Sequence, residues 1–312
     1  MNIIIMGAAG FIGTNLLLRL SLDEKNFITL VDKDMNYFDS IKKFGLKNVK
    51  FVERQFNDKE RYDDLMKNVD IVYHLVSSST PTTSNQNIAE EIRNNLIFTA
   101  NLLEDCKNTN IKRVIFISSG GTVYGKEINC PIKESAQTNP INSYGFQKLA
   151  IEKLFYLYNC MYGIDYKIIR LANPYGPYQR PNGKLGAVTT FIYKAIQGEN
   201  INLYGDGSVV RDYVYISDVI DAVINISCLE SDEKIFNVGS GKGVSLNQLL
   251  NIISETLNTK VSINHLPARS VDVPVNYLDI SLYKSTFGVD ISKVSFSKGI
   301  IETANYLRNK YL

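Results

Sequence analysis

Short runs of apolar, β-branched residues recur through the first half of the chain. Between them the apolar positions return every three or four residues. Residues 2–6, 27–31, 49–52, 71–75, 113–118 and 166–171 read as buried strands, and 11–21, 59–67, 87–106 and 143–162 carry the helical period. Strands that alternate with helices form right-handed crossover units, so the strands lie parallel and both faces of their sheet are covered. The expected class is α/β, with a doubly wound parallel sheet.

After Ala172 the pattern breaks. Asn173-Pro174-Tyr175-Gly176-Pro177, Pro181-Asn182-Gly183 and Gly205-Asp206-Gly207 crowd turn signals together, and isolated helical periods follow at 187–197, 218–228, 246–258 and 299–310. We expect residues 1–172 to form the first domain and 173–312 mainly a smaller second lobe, with segments near 213–238 returning to the first. No internal repeat or low-complexity tract interrupts the chain.

Composition narrows the class further. Apolar content of 45% and charged content of 21% describe a soluble globular chain, and 312 residues can bury a large core. Basic and acidic side chains nearly balance, 34 against 32, with no block of one sign. Neither a nucleic acid nor an anionic membrane is therefore an expected partner. Cys106, Cys130, Cys160 and Cys228 stand far apart and only two histidines occur, so no metal site is expected. Ile3-Ile4-Ile5-Met6 lacks a basic flank and runs into glycine, which suits a strand and not an export signal. No apolar run approaches the ~18 residues of a membrane span. The expected location is a reducing cytoplasm.

The first strand leads into Gly7-Ala8-Ala9-Gly10-Phe11-Ile12-Gly13 and then a helix. Glycines at this spacing give a tight turn, a close backbone approach to a pyrophosphate, and close strand–helix packing; the helix N-terminus faces the phosphates. The sheet is then of the Rossmann type, and Gly7, Gly10, Phe11, Ile12 and Gly13 are candidates for binding a dinucleotide. Asp32, just past the second predicted strand, can accept from the adenosine ribose hydroxyls and repels a 2′-phosphate. That favours NAD over NADP, although Lys33 beside it would tolerate the phosphate.

Tyr144 and Lys148 lie one turn apart on a predicted helix, on one face. A phenol has a pKa near 10 and is a poor base at neutral pH. A neighbouring ammonium and a nicotinamide cation would stabilise its phenolate. The pair follows, after a loop, the stretch Ser118-Ser119-Gly120-Gly121-Thr122-Val123-Tyr124-Gly125.

With these residues in view, the chain resembles the extended short-chain dehydrogenase/reductase family over nearly its whole length, and within it the nucleotide-sugar 4-epimerases of the UDP-galactose epimerase type. The resemblance rests on Gly7, Gly10, Gly13, Asp32, His74-Leu75, Asn95 with Thr99, the 118–125 stretch, Tyr144 with Lys148, Arg170 with Asn173-Pro174, Arg211-Asp212-Tyr213, Asn237-Val238-Gly239, and Arg269 with Asp272. It implies a bound NAD, a smaller C-terminal substrate-binding lobe, and a homodimer built on the 87–106 and 143–162 helices. Leu149, Leu154, Leu157 and Tyr158 would supply the apolar surface. Tyr144 would take the proton from the sugar 4-hydroxyl, and Lys148 would hold the nicotinamide ribose and lower the pKa of the tyrosine. Asn95 and Ser118 would line the ribose, with Leu75 and Phe56 also beside the cofactor. Asn173, Arg211 and Arg269 would bind the diphosphate end of the substrate and Asp272 the ribose hydroxyls. His74 reads as a packing residue.

Three positions depart from the family. Where it carries Ser or Thr to bridge the sugar oxygen and the tyrosine, this chain has Gly120; Thr122, Ser119 or a water would then supply the hydroxyl. An adenine-contacting Asp is replaced by Gln55, whose amide can still meet an adenine edge. The position beside the sugar 2-substituent is Asn276. Related sugar 4,6-dehydratases need an Asp-Glu pair where this chain has Gly121-Thr122, so a dehydratase is not expected. The expected activity is NAD-dependent 4-epimerisation of a nucleotide-diphosphate hexose, UDP-linked, through a 4-keto intermediate. A 4-keto-reductase consuming NAD(P)H is the alternative, and a non-catalytic cofactor-sensing protein a distant third.

Overall fold

The computed structural model describes every residue except 82–83, 127–128, 182–185 and 269–272. The chain runs β1 Asn2–Met6, α1 Phe11–Leu20, β2 Phe27–Asp32, α2 Asp39–Lys42, β3 Val49–Glu53, β4 Ile71–His74, α3 Ile88–Ile92, α4 Phe98–Cys106, β5 Arg113–Ser119, α5 Ser143–Tyr162 and β6 Tyr166–Leu171. It continues as β7 Asn173–Tyr175, α6 Ala187–Gln197, β8 Ile201–Tyr204, β9 Val210–Tyr215, α7 Ile216–Ser227, β10 Ile235–Val238, β11 Gly243–Ser245, α8 Leu246–Leu257, β12 Ile263–Leu266, β13 Val275–Asn276, α9 Ser281–Phe287 and α10 Phe296–Tyr311.

The central sheet has seven strands in the order β3-β2-β1-β4-β5-β6-β10. β1 runs parallel to both β2 and β4, with Ile5 opposite Leu30 and Tyr73. Strand order reverses at β1, and in open α/β sheets the ligand crevice lies beyond the carboxyl ends of the strands at that reversal. The loop after β1 is the glycine loop, so the fold is the Rossmann-type sheet.

The chain divides into two compact units. The first is Met1–Ser118, Asn142–Ile169 and Val223–Ile235; the second is Ser119–Ile141, Arg170–Ala222 and Phe236–Leu312. In the first, Ile4, Met6, Val72, Val114 and Phe116 from the strands pack with Phe98, Leu102 and Phe155 from the helices, all buried. Each such side chain contributes roughly 1.5–3 kcal/mol by leaving water. In the second, β9 pairs with β11, β13 and β7, and β8 pairs with β12. Tyr175 meets Tyr215 and Phe296 edge-on, with centroids 5.5 and 5.3 Å apart.

The structure corrects the expected elements in three places. Residues 59–67 form no helix. A helix capped at Asn57 would pair Tyr62 N–H with the Asp58 carbonyl; instead Tyr62 N–H goes to Asp105 Oδ2 at 2.7 Å and the Asp58 carbonyl accepts Asn101 Nδ2 at 2.9 Å. The 87–106 helix is broken by a π-helical turn, Arg93–Ile97, between α3 and α4. The short strands of the second unit, two to six residues each, were not anticipated, because so few residues do not establish an alternation. Tyr158, expected on an interface, is 8% exposed and donates to Glu104 Oε1 at 2.7 Å.

Candidate active site

The glycine loop is built as its spacing requires. Gly7 has φ 79°, which a side chain rarely adopts, and a Cβ there would sit 3.2 Å from the Val76 backbone nitrogen. A Cβ on Gly13 would lie 2.5 Å from the Ala8 carbonyl oxygen, so α1 can approach β1 this closely only with glycine. Gly10 is the N-cap of α1 and its carbonyl accepts Thr14 N–H at 2.9 Å, while Phe11 and Ile12 open the helix. Asp32 is 7% exposed, and its carboxylate accepts Ala9 N–H and Lys33 N–H, each at 2.9 Å. One carboxylate thus holds the loop and stands where a ribose hydroxyl would be read. Gln55 is exposed and its Nε2 donates to the Lys33 carbonyl at 2.9 Å, which fixes the amide beside Asp32. Phe56 packs on Phe98, centroids 5.4 Å apart, and Leu75 N–H is bonded to Met6 O at 3.0 Å. These residues, all in the first unit, fit a dinucleotide.

α5 begins at an Asn142 cap, whose side chain accepts Gly145 N–H at 2.8 Å, and stops at Gly163 with φ 70°. This sets Tyr144 and Lys148 on consecutive turns. Lys148 is 6% exposed, and its Nζ donates to the Ile117 carbonyl at 2.8 Å. The ammonium lies 4.7 Å from the Phe116 ring centroid and 5.6 Å from that of Tyr144. Burial pulls Lys148 down to about 8, with the Glu152 charge opposing the drop. Burial pushes the Tyr144 phenol up to about 12. Burial is the cause of that rise; the lowering expected from the sequence needs the ammonium acting together with a nicotinamide charge.

A small cavity lies beside the pair, lined by Val76, Ser77, Ser79, Asn95, Gln147 and Ile151. Asn95, in the π-helical turn, is occupied at both ends: Oδ1 accepts Ser78 N–H at 2.9 Å and Nδ2 donates to Gln147 Oε1 at 2.7 Å. It brackets the loop after β4 to α5. Ser118 Oγ donates to Glu152 Oε1 at 2.5 Å. Gln147 and Glu152 escaped the sequence reading, though Glu152 is one turn beyond Lys148 and helical spacing alone would find it. His74 is buried against Phe98 and Phe116, with Nε2 2.8 Å from Thr99 Oγ1; burial lowers it to about 3, so it is neutral.

The second unit holds the substrate candidates. Ser119, Gly120, Gly121, Thr122 and Val123 form a turn closed by the Ser119 carbonyl, which accepts Val123 N–H at 3.2 Å. Ser119 ends β5 and Gly120–Thr122 turn away from the strand, so Ser119 and Thr122 do not simply alternate between faces. Thr122 Oγ1 is buried and has no hydrogen-bond partner, a costly state for a hydroxyl unless a ligand completes it. Gly120 has no positive φ, yet a Cβ on it would lie 2.6 Å from Leu278 Cδ1. Leu278, fully buried, fills the room where the resemblance expects a Ser or Thr side chain. Asn276, 2% exposed, donates through Nδ2 to the Gly120 carbonyl at 3.4 Å.

Asn173 Nδ2 donates to the Asp212 carbonyl at 2.9 Å. Arg211 Nη1 is anchored on the carbonyls of Val210 and Val273 at 2.8 and 2.6 Å. Asp212 is fully buried; its carboxylate accepts Ser240 N–H and Oγ–H at 2.7 and 2.6 Å and Gly241 N–H at 3.2 Å. A Cβ on Gly239 would lie 2.4 Å from Asp212 Oδ2, which accounts for the glycine of that motif. Tyr124, Arg170 and Asn237 likewise form a structural network: Arg170 donates to the Tyr124 hydroxyl at 3.1 Å, which donates to Asn237 Oδ1 at 2.7 Å. Arg269 and Asp272 lie outside the described residues. Among the described residues no cluster of potential metal ligands forms, and no helix is long and apolar enough to cross a membrane.

Residues 3–239 match the NAD dependent epimerase/dehydratase family. The chain is 29% identical to a UDP-glucose 4-epimerase of Mycolicibacterium smegmatis over 99% of both chains. It is 31% identical to a dTDP-4-dehydro-6-deoxyglucose reductase of Escherichia coli over 84% of each. The crystal structure of UDP-glucose 4-epimerase with UDP-glucose from Thermotoga maritima superposes with a TM-score of 0.90 at 30% identity, covering all of both chains. With this match and the built glycine loop, the chain belongs to the NAD-dependent epimerase/dehydratase family, and NAD is its cofactor.

Proposed function

We propose that the protein is a 4-epimerase of a nucleotide-diphosphate hexose, with a UDP-linked hexose as substrate. The observation that carries this reading is the Tyr144–Lys148 face of α5, a phenol and a buried ammonium one turn apart in the unit that also holds the glycine loop and Asp32. The likeness to UDP-glucose 4-epimerases supports the substrate class.

In this reading Tyr144 accepts the proton of the sugar 4-hydroxyl and later returns it. At a pKa of about 12 the phenol needs positive charge close to its ring, and Lys148 supplies one such charge. NAD, when bound, would supply reversible hydride chemistry at carbon 4 of the sugar. Gly7, Gly10, Gly13 and Asp32 would hold its adenosine diphosphate half. Thr122 offers its unpaired hydroxyl to the sugar oxygen, in place of the side chain Gly120 lacks. Arg211, anchored on two carbonyls, presents a planar guanidinium to the diphosphate with Asn173 beside it. Arg269 and Asp272 keep the roles the resemblance gives them, at the diphosphate and the ribose.

A reductase is the second reading, favoured by the Escherichia coli relative and by the exposed Lys33 next to Asp32. Chromatography of products from UDP-, dTDP- and GDP-hexoses, with the NAD content of the purified protein, separates the two. An epimerase carries NAD and interconverts C4 epimers without added cofactor. A protein that turns over only 4-keto sugars, and only with added NAD(P)H, is a reductase.

The homodimer belongs to the same proposal. α5 leaves Phe146, Tyr156, Leu157 and Met161 at 46–61% exposure, enough apolar surface on one helix to suggest a seam with the α5 and α3–α4 segments of a second copy. Light scattering at micromolar concentration should give twice the chain mass, and a monomer would refute it.

A further inference from the structure

Glu152 is 3% exposed and stands on α5 one turn beyond Lys148 and two beyond Tyr144, so the three side chains share a face. Ser118, at the end of β5, donates its hydroxyl to Glu152 at 2.5 Å. The residue before it, Ile117, accepts Lys148 Nζ at 2.8 Å. Two successive strand residues are thereby tied to two successive turns of the helix. A buried carboxylate costs several kcal/mol of desolvation unless a cation answers it, and the same holds for a buried ammonium. The titratable groups facing Lys148 are Glu152 and Tyr144 on its own helix and His74 on β4, and His74 is neutral. Of the three, Glu152 is the carboxyl, and its charge opposes the effect of burial on the ammonium.

We propose that Glu152 is a positioning residue for the base pair: it acts through Lys148, keeping the amine protonated in a desolvated place, and through Ser118, holding the end of β5 against α5. This rests on the reading of Tyr144 and Lys148 given above. The direction of the Lys148 shift agrees with it, since Glu152 raises what burial lowers. Without the carboxylate the ammonium is lost at lower pH, and any step that needs it fails earlier as pH rises.

The test is NAD affinity, by calorimetry, from pH 6 to 9.5 for wild type, E152Q and E152D, with UDP-hexose turnover measured on the same samples. In E152Q the fall of NAD affinity and of kcat with rising pH should begin about one pH unit lower than in wild type. That is roughly tenfold weaker binding at a pH between the two breaks. E152D, which keeps the charge but withdraws it by one methylene, should show about half the shift. Superimposable pH profiles for wild type and E152Q, whatever the melting temperatures, would overturn the proposal. If E152Q does not fold, E152D decides: a shift to lower pH supports the proposal and an unshifted profile overturns it. A wild type that binds NAD but turns over no UDP-hexose sinks the proposed activity, while the NAD titration still decides the role of Glu152.

Discussion

In the first unit four polar candidates are already committed to protein partners: Asp32 to Ala9, Asn95 to Gln147, Ser118 to Glu152, and Lys148 to Ile117. In the second, Thr122 Oγ1 and Tyr213 Oη are buried without partners, and the candidates stand on a turn, a loop and strands of two to six residues. The contrast follows from what each unit must do. A dinucleotide presents one fixed shape, so its site can be pre-paired on the ends of long parallel strands. A sugar site must leave hydrogen-bonding capacity open, and it is carried by connections that vary freely on a rigid scaffold. A site whose polar candidates are largely pre-paired and one that leaves a buried candidate hydroxyl open should respond differently to mutation.

The sharpest break should come from Tyr144→Phe. It removes one hydroxyl from a helix-borne ring whose apolar contacts persist. Turnover should fall by about 10²–10⁴-fold, the usual contribution of a general acid–base group, with NAD binding and melting temperature near wild type. A variant retaining more than half the wild-type rate would remove Tyr144 from the chemistry.

Thr122→Val asks the same question of the second unit. The swap exchanges hydroxyl for methyl at almost constant volume, and in the free protein that hydroxyl bonds nothing. Stability should therefore hold or rise slightly. Turnover should drop roughly 10- to 100-fold, matching the ~1.5–3 kcal/mol of a hydrogen bond to a developing charge. Wild-type turnover would leave a water, or the tyrosine alone, as the partner of the sugar oxygen. Ser119→Ala serves as the comparison; because Gly120–Thr122 turn after β5, its effect relative to Thr122→Val is not set by strand alternation.

Gly120→Ser tests whether the second unit can be returned to the family pattern. From the sequence, restoring the hydroxyl would be expected to raise activity wherever the backbone does not demand glycine. The backbone does not demand it, but Leu278 does. With Cδ1 2.6 Å from the added Cβ, the substitution should cost about 1–3 kcal/mol of stability and lower activity. Leu278→Ala removes the closest contact and leaves the Arg170 carbonyl oxygen at 3.2 Å, so the double variant should be less destabilised than the sum of the singles by about 1 kcal/mol. Additive losses in thermal denaturation would show that Leu278 is not the obstacle.

These cases also mark how far the sequence could be read. β1, α5 and the loop between β1 and α1 were legible because period, caps and glycine spacing are local properties. Tyr144 and Lys148 were legible because four residues on a helix are one turn. The 59–67 segment misled because its helical period is overridden by the side chains of the distant Asn101 and Asp105, which no window contains. The filling of Gly120 by Leu278 was hidden for the same reason: the two meet only through the fold. The resemblance placed Asn95 at the nicotinamide ribose, whereas its bond to Gln147 depends on how the π-helical turn faces α5.

The smallest expected effect concerns the sugar 2-substituent. Asn276 on β13 lies opposite Arg211 of β9, and its Nδ2 already gives one hydrogen to the Gly120 carbonyl over a long 3.4 Å. An amide nitrogen has a second hydrogen. An acetamido carbonyl could accept it, whereas a tyrosine at this position would fill the space such a group needs. UDP-N-acetylhexosamines should therefore be accepted at least as alternative substrates. Asn276→Ala removes the donor but leaves the room, so kcat/KM for the 2-acetamido sugar should fall relative to the plain hexose by only about 2- to 10-fold, the ~0.5–1.5 kcal/mol of one neutral hydrogen bond. An unchanged ratio would mean the acetyl group, if bound, is recognised elsewhere. If the acetamido sugars neither bind nor turn over while plain hexoses do, Asn276 is occupied in holding the Gly120 turn, and the second unit is more fully pre-paired than the contrast with the first implies.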